Sequence, residues 1–147
     1  MELLTFLHEN SHITDTSLYQ IKEYSQTWKC TSYDALVESH LFTENDIANI
    51  LASAMQVERL YKLGGMKISQ DIVSYMPFKT AIECCCIPFE ASAEQEWIKI
   101  VFFNPLDKAS FEKISNTVHV KIKPAVAERS EIIRAIKLFY PLADQLS

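Results

Sequence analysis

The sequence predicts an α+β fold. A small N-terminal helical hairpin module, residues 1–55, is followed by a compact two-layer α/β sandwich, residues 56–147, on a mixed sheet of about three to four strands. Three observations carry this expectation. Apolar residues in the first part recur at helical spacing, as in Leu3, Phe6 and Leu7, or Ile47, Ile50, Leu51 and Ala54. Val118 to Lys123 alternates strictly between apolar and polar, which suits a sheet with one buried and one wet face. Between Trp97 and Lys123 the order strand, helix, strand implies a right-handed parallel crossover.

Each element has a local reason. Leu18 and Ile21 continue the helical spacing, and Thr43-Glu44-Asn45-Asp46 reads as a helix start in which Thr43 caps and Asp46 reaches back. An internal repeat runs through this part at an offset of 29 residues: Leu7, Glu9, Thr14, Leu18 and Ile21 correspond to Leu36, Glu38, Thr43, Ile47 and Ile50. Two degenerate copies indicate a duplicated helical hairpin rather than a solenoid. After Met55, Val57 to Leu63 reads as a strand ending at Gly64-Gly65, and Ser69 to Met76 as a short helix stopped before Pro77. Phe78 to Glu83 continues as a helical turn. Cys84 to Phe89 reads as a buried strand, with Pro88 placing it near a sheet edge. Ala91 to Glu96 is a polar turn, and Trp97 to Phe103 is the clearest strand. Asn104-Pro105-Leu106-Asp107 reads as a helix start, with Asn104 as cap and Pro105 at the first helical position. Glu128 to Tyr140 is the last helix, with Ile132, Ala135, Ile136 and Phe139 as its buried stripe and Pro141 as its stop.

Composition narrows the function. The chain has 147 residues, 48% of them hydrophobic, and a formal net charge of −5. That size supports a core without disulfides or metal. The apolar fraction excludes a disordered chain, and the negative charge argues against broad phosphate-driven nucleic-acid binding. The two glycines, Gly64 and Gly65, are adjacent. A Walker A loop and a dinucleotide fingerprint both need spaced glycines, so neither can be written here. No signal peptide is visible, and the apolar runs fall short of the ~20 residues that span a bilayer. The cysteines, Cys30 and the run Cys84-Cys85-Cys86, do not form a secreted disulfide framework and fit a reducing compartment. A cytoplasmic protein is expected.

The residues offer little chemistry. Three adjacent cysteines on a strand would point to alternating faces and could not meet one metal, so they read as small core residues. His8 and His12 have the i, i+4 spacing of a shared metal but no zincin glutamate, and His40 and His119 read as solvated. No nucleophile elbow appears. Glu44, Asp46, Glu128 and Glu131 occupy first turns of helices, where dipole and capping explain them. Lys99, Lys121 and Lys123 can make a modest basic patch on one sheet face.

Taken in order, these motifs resemble the N-terminal domain of type II secretion and type IV pilus assembly ATPases, the GspE/PilB-like group. The resemblance rests on the turn Asn104-Pro105-Leu106-Asp107, the strand end Pro124-Ala125-Val126-Ala127, and Ile132, Ala135, Ile136 and Tyr140 of the last helix. Upstream, Ala35 to Glu38 and Leu41 to Ile47 resemble that family's helical hairpin. Some members bind cyclic di-GMP here through an Arg-Leu-Gly segment and a later glycine. The corresponding positions are Thr31-Ser32-Tyr33 and His40, which lack the arginine and the glycines, so cyclic di-GMP is not an expected ligand. The ATPase module that follows in the family is not in this sequence, which reads either as a fragment or as a stand-alone relative.

The resemblance implies a non-catalytic docking and regulatory domain. Its partners would be the cytoplasmic domain of an inner-membrane platform protein and the ATPase module of the same system, with peripheral placement at the membrane through protein and no membrane insertion. No catalytic, metal-ligating or cofactor-binding residue and no cofactor or nucleic acid are expected. Lys99, Lys121 and Lys123 are the candidate partner-binding residues. The alternatives are a cyclic di-GMP receptor with a degenerate site, and a small enzyme or metal protein using the cysteines.

Overall fold

Four short helices open the chain, each begun by a residue whose side chain accepts from the first turn. The computed structural model describes residues 2–146. Helix α1 spans Leu3–Glu9, α2 Asp15–Trp28, α3 Ser32–Glu38 and α4 Glu44–Met55. Their caps are Glu2, Thr14, Thr31 and Thr43, and Thr43 with Asp46 forms the expected reciprocal box. The 29-residue offset is visible in the backbone. Glu2 and Thr31 cap equivalent helices, as do Thr14 and Thr43, and Ser11 and His40 both take a left-handed φ of 63°. Leu7 and Leu36, one from each copy, are fully buried in the same cluster with Ile47 and Leu51.

The sheet follows. Strand β1 is only Glu58–Arg59, shorter than the expected Val57–Leu63, because the chain turns away into a 3-10 turn at Leu63–Gly65. Helix α5 is Gln70–Val73, capped by Ser69, and α6 is Phe78–Cys84. Strands β2, Cys86–Ala91, and β3, Trp97–Phe102, pair antiparallel with a register shift between Pro88 and Glu90. Helix α7, Lys108–Val118, leads to β4, Lys121–Val126, which lies parallel to β3. Helix α8 is Arg129–Phe139 and α9 is Leu142–Gln145. The strand order is β1-β4-β3-β2, a four-stranded mixed sheet among the described residues. Pro88 lies on an edge strand, where its missing donor costs no ladder bond.

Three further boundaries differ from expectation, each for a local reason. Asp107, not Asn104, caps α7 by accepting from the Ser110 amide, while Asn104 Oδ1 accepts from the Leu106 amide in an Asx turn. Val118 closes that helix and His119 is its left-handed cap, so the strict alternation at 118–123 straddles a helix end and a strand. Cys84 ends α6, Cys85 is its left-handed cap and Cys86 begins β2, so the cysteine run is not one strand.

Two buried clusters result. One joins the sheet to α6, α7 and α8 through Ala81, Ile87, Ile98, Ile100, Ile114, Ile132 and Ile136. The other is helical, but Val126 of β4 is a buried member of it, and Phe103 packs against both. At the far end of α8, the Tyr140 hydroxyl donates to the Met76 carbonyl at 2.7 Å, and its ring meets Phe78 edge-on. Burial pushes the Tyr140 phenol above its ordinary pKa. Tyr140→Phe leaves a buried carbonyl without its donor, and a loss of about 1–2 kcal/mol is expected in urea unfolding. A loss within error would mean the bond contributes nothing net.

Candidate functional site

The chemistry-bearing surface lies across β3 and β4. Parallel register sets Trp97 beside Lys121 and Lys99 beside Lys123. Residues in register share a face, so the sequence's three lysines and Trp97 come together. Lys123 Nζ stands 4.3 Å from the Trp97 ring centroid, and Lys99 Nζ 5.8 Å. Lys99 is also 3.2 Å from Glu90 on β2. Lys121 and Lys123 join no ion pair among the described residues and are exposed. The face therefore presents a cation held over an indole, a second free cation, and a third partly neutralised one. Such a surface attracts carboxylates while offering an aromatic plane.

A second polar cluster joins the helical residues to α8. Arg129, the first residue of α8, donates to Asp34 of α3. Its guanidinium carbon lies 4.7 Å from the Tyr33 centroid and 5.8 Å from that of Phe103, and the two rings meet edge-on at 4.8 Å. Glu44, the first residue of α4, accepts from the Ser130 amide at 3.0 Å and from the Tyr33 hydroxyl at 3.4 Å. Glu128, at the N-cap of α8, makes no side-chain cap bond, so a carboxylate from the helical part supplies it. Burial opposes the charge on Arg129, yet Asp34 holds its pKa above the ordinary value. Burial likewise opposes ionisation of Asp34, but Arg129 and Thr31 hold its carboxyl below the usual range.

This junction was missed by sequence reasoning. One signal was available: a cation at the first position of a helix opposes the macrodipole, and its retention there calls for a nearby anion. The identity of that anion, 95 residues away, is not written locally.

Beside the junction lies a cavity of about 400 Å³. Leu3, Tyr33, Phe103 and Leu106 supply its apolar lining, and Glu2, Asp107 and Lys108 its charges. Thr31, Ser32 and Tyr33, the positions set against the Arg-Leu-Gly segment, all line it.

The cysteines and histidines do not assemble a centre. Among the described residues no group of three or more His, Cys, Asp or Glu could hold a metal. Burial pushes the Cys85 thiol up to about 11, and Cys86 higher still, so both stay protonated near neutrality. His8 Nε2 is 2.5 Å from Asp15, while His12, His40 and His119 are exposed. No described helix is long and apolar enough to cross a membrane.

Known proteins share this architecture. The solved structure of MshE with cdg superposes at a TM-score of 0.76 and 17% identity, covering 95% of this chain and 99% of that one. The N-terminal domain of XpsE gives 0.74 at 15% identity, covering 95% and 94%. At those identities the likeness speaks for the fold. Among curated proteins, the type IV pilus assembly ATPase PilB of Thermus thermophilus is 25% identical over 129 residues, which is 88% of this chain. The chain spans only 14% of that protein's length. The MshEN domain matches residues 55–146, well over half of the sequence. By that match the chain belongs to the MshEN domain family, in keeping with its resemblance to the N-terminal domains of secretion and pilus ATPases.

Proposed function

We propose that this chain acts as a non-catalytic docking and regulatory N-terminal domain of a type IV pilus or type II secretion ATPase. It binds the cytoplasmic part of an inner-membrane platform protein and works in the cytoplasm, alongside the ATPase module of the same system. The observation that carries this reading is the Trp97 face, where the exposed Lys121 and Lys123 stand beside the half-buried Trp97 and Lys99 on a chain of net charge −5. A local patch of the minority sign is what a specific acidic partner would select. The polar junction at Arg129 supports the regulatory half, since a force on either part is carried to the other through α8.

Calorimetric titration with the purified cytoplasmic domain of the platform protein tests it. Binding is expected, and Lys121→Glu with Lys123→Glu is expected to weaken it roughly tenfold, since each reversal removes one screened attraction and adds one repulsion. No binding at high micromolar concentration would count decisively against the proposal.

A second reading, reception of cyclic di-GMP, is favoured by one observation. The cavity lies at Thr31-Ser32-Tyr33, and MshE, solved with cdg, shares the fold. Its lining carries two carboxylates against one lysine, a balance that repels a dianion. Thermal melting with cyclic di-GMP decides: a ligand of the folded state at about 100 times its Kd adds about 2.7 kcal/mol, and an unmoved midpoint removes this reading.

A further inference from the structure

The cavity's own lining specifies a different ligand from the one its position suggests. Its floor is Leu3 and Tyr33, which are 2% and 4% exposed, and its walls include the half-buried Phe103 and Leu106. The Asx turn at Asn104 fixes Leu106 at the wall, and the capping bond to Ser110 fixes Asp107 beside it. A volume of about 400 Å³ lies within the range of small-ligand sites and exceeds what one water could fill. Among the described residues its charged groups are Glu2, Asp107 and Lys108. Arg129, behind the Tyr33 and Phe103 rings, is already matched by Asp34. Each carboxylate keeps acceptor capacity beyond its cap bond. The site is thus an apolar pit whose described rim carries two carboxylates to one ammonium and is rich in acceptors.

We propose that this cavity receives an aromatic side chain from a partner protein, flanked in that partner's sequence by lysine or arginine. The aromatic body fills the pit between Leu3, Tyr33, Phe103 and Leu106. The flanking cations meet Glu2 and Asp107. The surface is separate from the lysine face and has the opposite charge preference, so it recognises a different segment.

The test follows amide shifts by NMR while titrating three short peptides: Lys-Trp-Lys, Glu-Trp-Glu and Lys-Ala-Lys, each with blocked ends. Lys-Trp-Lys is expected to bind at least tenfold more tightly than either other, with shifts centred on Leu3, Tyr33 and Phe103. Glu2→Gln with Asp107→Asn keeps both cap acceptors and removes both charges. That variant is expected to remain cooperatively folded and to bind Lys-Trp-Lys roughly three- to tenfold more weakly. Leu106→Ala is expected to weaken Lys-Trp-Lys and leave Lys-Ala-Lys unchanged. The proposal is overturned if no peptide shifts these amides at millimolar concentration, if Glu-Trp-Glu binds equally well, or if the shifts lie elsewhere. Displacement of Lys-Trp-Lys by cyclic di-GMP at micromolar concentration would also overturn it, in favour of the anionic ligand. None of these outcomes depends on Lys121 or Lys123, so the docking reading stands or falls separately.

Discussion

Arg129→Ala is expected to lower stability by about 2–3 kcal/mol in urea unfolding. Removing the guanidinium leaves Asp34 without its strongest partner and strips the contact over Tyr33 and Phe103. Breaking a fully buried pair costs 3–5 kcal/mol. Here the two side chains are 31% and 28% exposed, so solvent recovers part of that cost. Arg129→Lys should rescue little, because an ammonium lacks the planar fork that bonds Asp34 while stacking on the rings. A double-mutant cycle with Asp34→Ala should return a coupling of about 1–2 kcal/mol. Additive losses would show that the pair is only adjacent, not coupled.

The same pair sets a pH dependence. Asp34 has a folded-state pKa held below its ordinary value, so its contribution is complete above the unfolded value of about 3.9 and is lost as pH falls through the folded one. The stability gap between wild type and Arg129→Ala should therefore be constant from pH 8 to about pH 5 and shrink on further acidification. A gap unchanged down to pH 2 would contradict this assignment.

The second large effect is expected at the paired leucines. Leu36→Ala and Leu7→Ala should each cost about 3–4 kcal/mol, because both side chains are fully buried in the helical cluster and a truncated leucine leaves a cavity. Near-equal costs are expected, since the two residues occupy equivalent places in a duplicated hairpin. The next pair breaks that symmetry. Ile47 is fully buried, whereas its counterpart Leu18 is only partly so. Ile47→Ala should accordingly cost about 2 kcal/mol more than Leu18→Ala. Equal effects at that second pair would show that exposure does not govern the difference.

Both predictions bear on function. Under the proposed docking role, force is transmitted only if the parts move together. The helical residues are tied to the sheet by Val126 and Phe103 inside the apolar clusters, and by Glu44 and Arg129 across the polar junction. Loosening that junction should leave the Trp97 face intact while releasing the helices from it. Under that proposal, Arg129→Ala separates transmission from binding in a way that Lys121→Glu does not.

The start of α4 was legible residue by residue. Thr43 with Asp46 forms its box because the bonds it needs lie three positions apart. The repeat was legible too, since it depends only on spacing. The exchange of caps at Asn104 and Asp107 was not. Both residue types serve as caps, and the choice depended on where the chain had to turn to bring Leu106 and Phe103 onto the helical cluster. The cysteine run misled for a similar reason. Cys85 takes a left-handed conformation in a chain whose two glycines stand elsewhere and have no positive φ. That strain marks no local pattern, and the packing of α6 against β2 overrides it.

Sequence alone carried the fold class, the Thr43–Asp46 cap box, the parallel crossover and the alternation that sets Lys121 and Lys123 on one side of β4. Each of these is written in spacing of a few residues, through periodicity or a local hydrogen bond. Tertiary structure alone decided that Arg129 meets Asp34, that Glu44 caps a helix 86 residues away, and that Leu3, Tyr33 and Leu106 enclose one cavity. Those contacts join residues distant along the chain. Their partners are chosen by how two apolar clusters close on each other, and no short window of sequence records that choice.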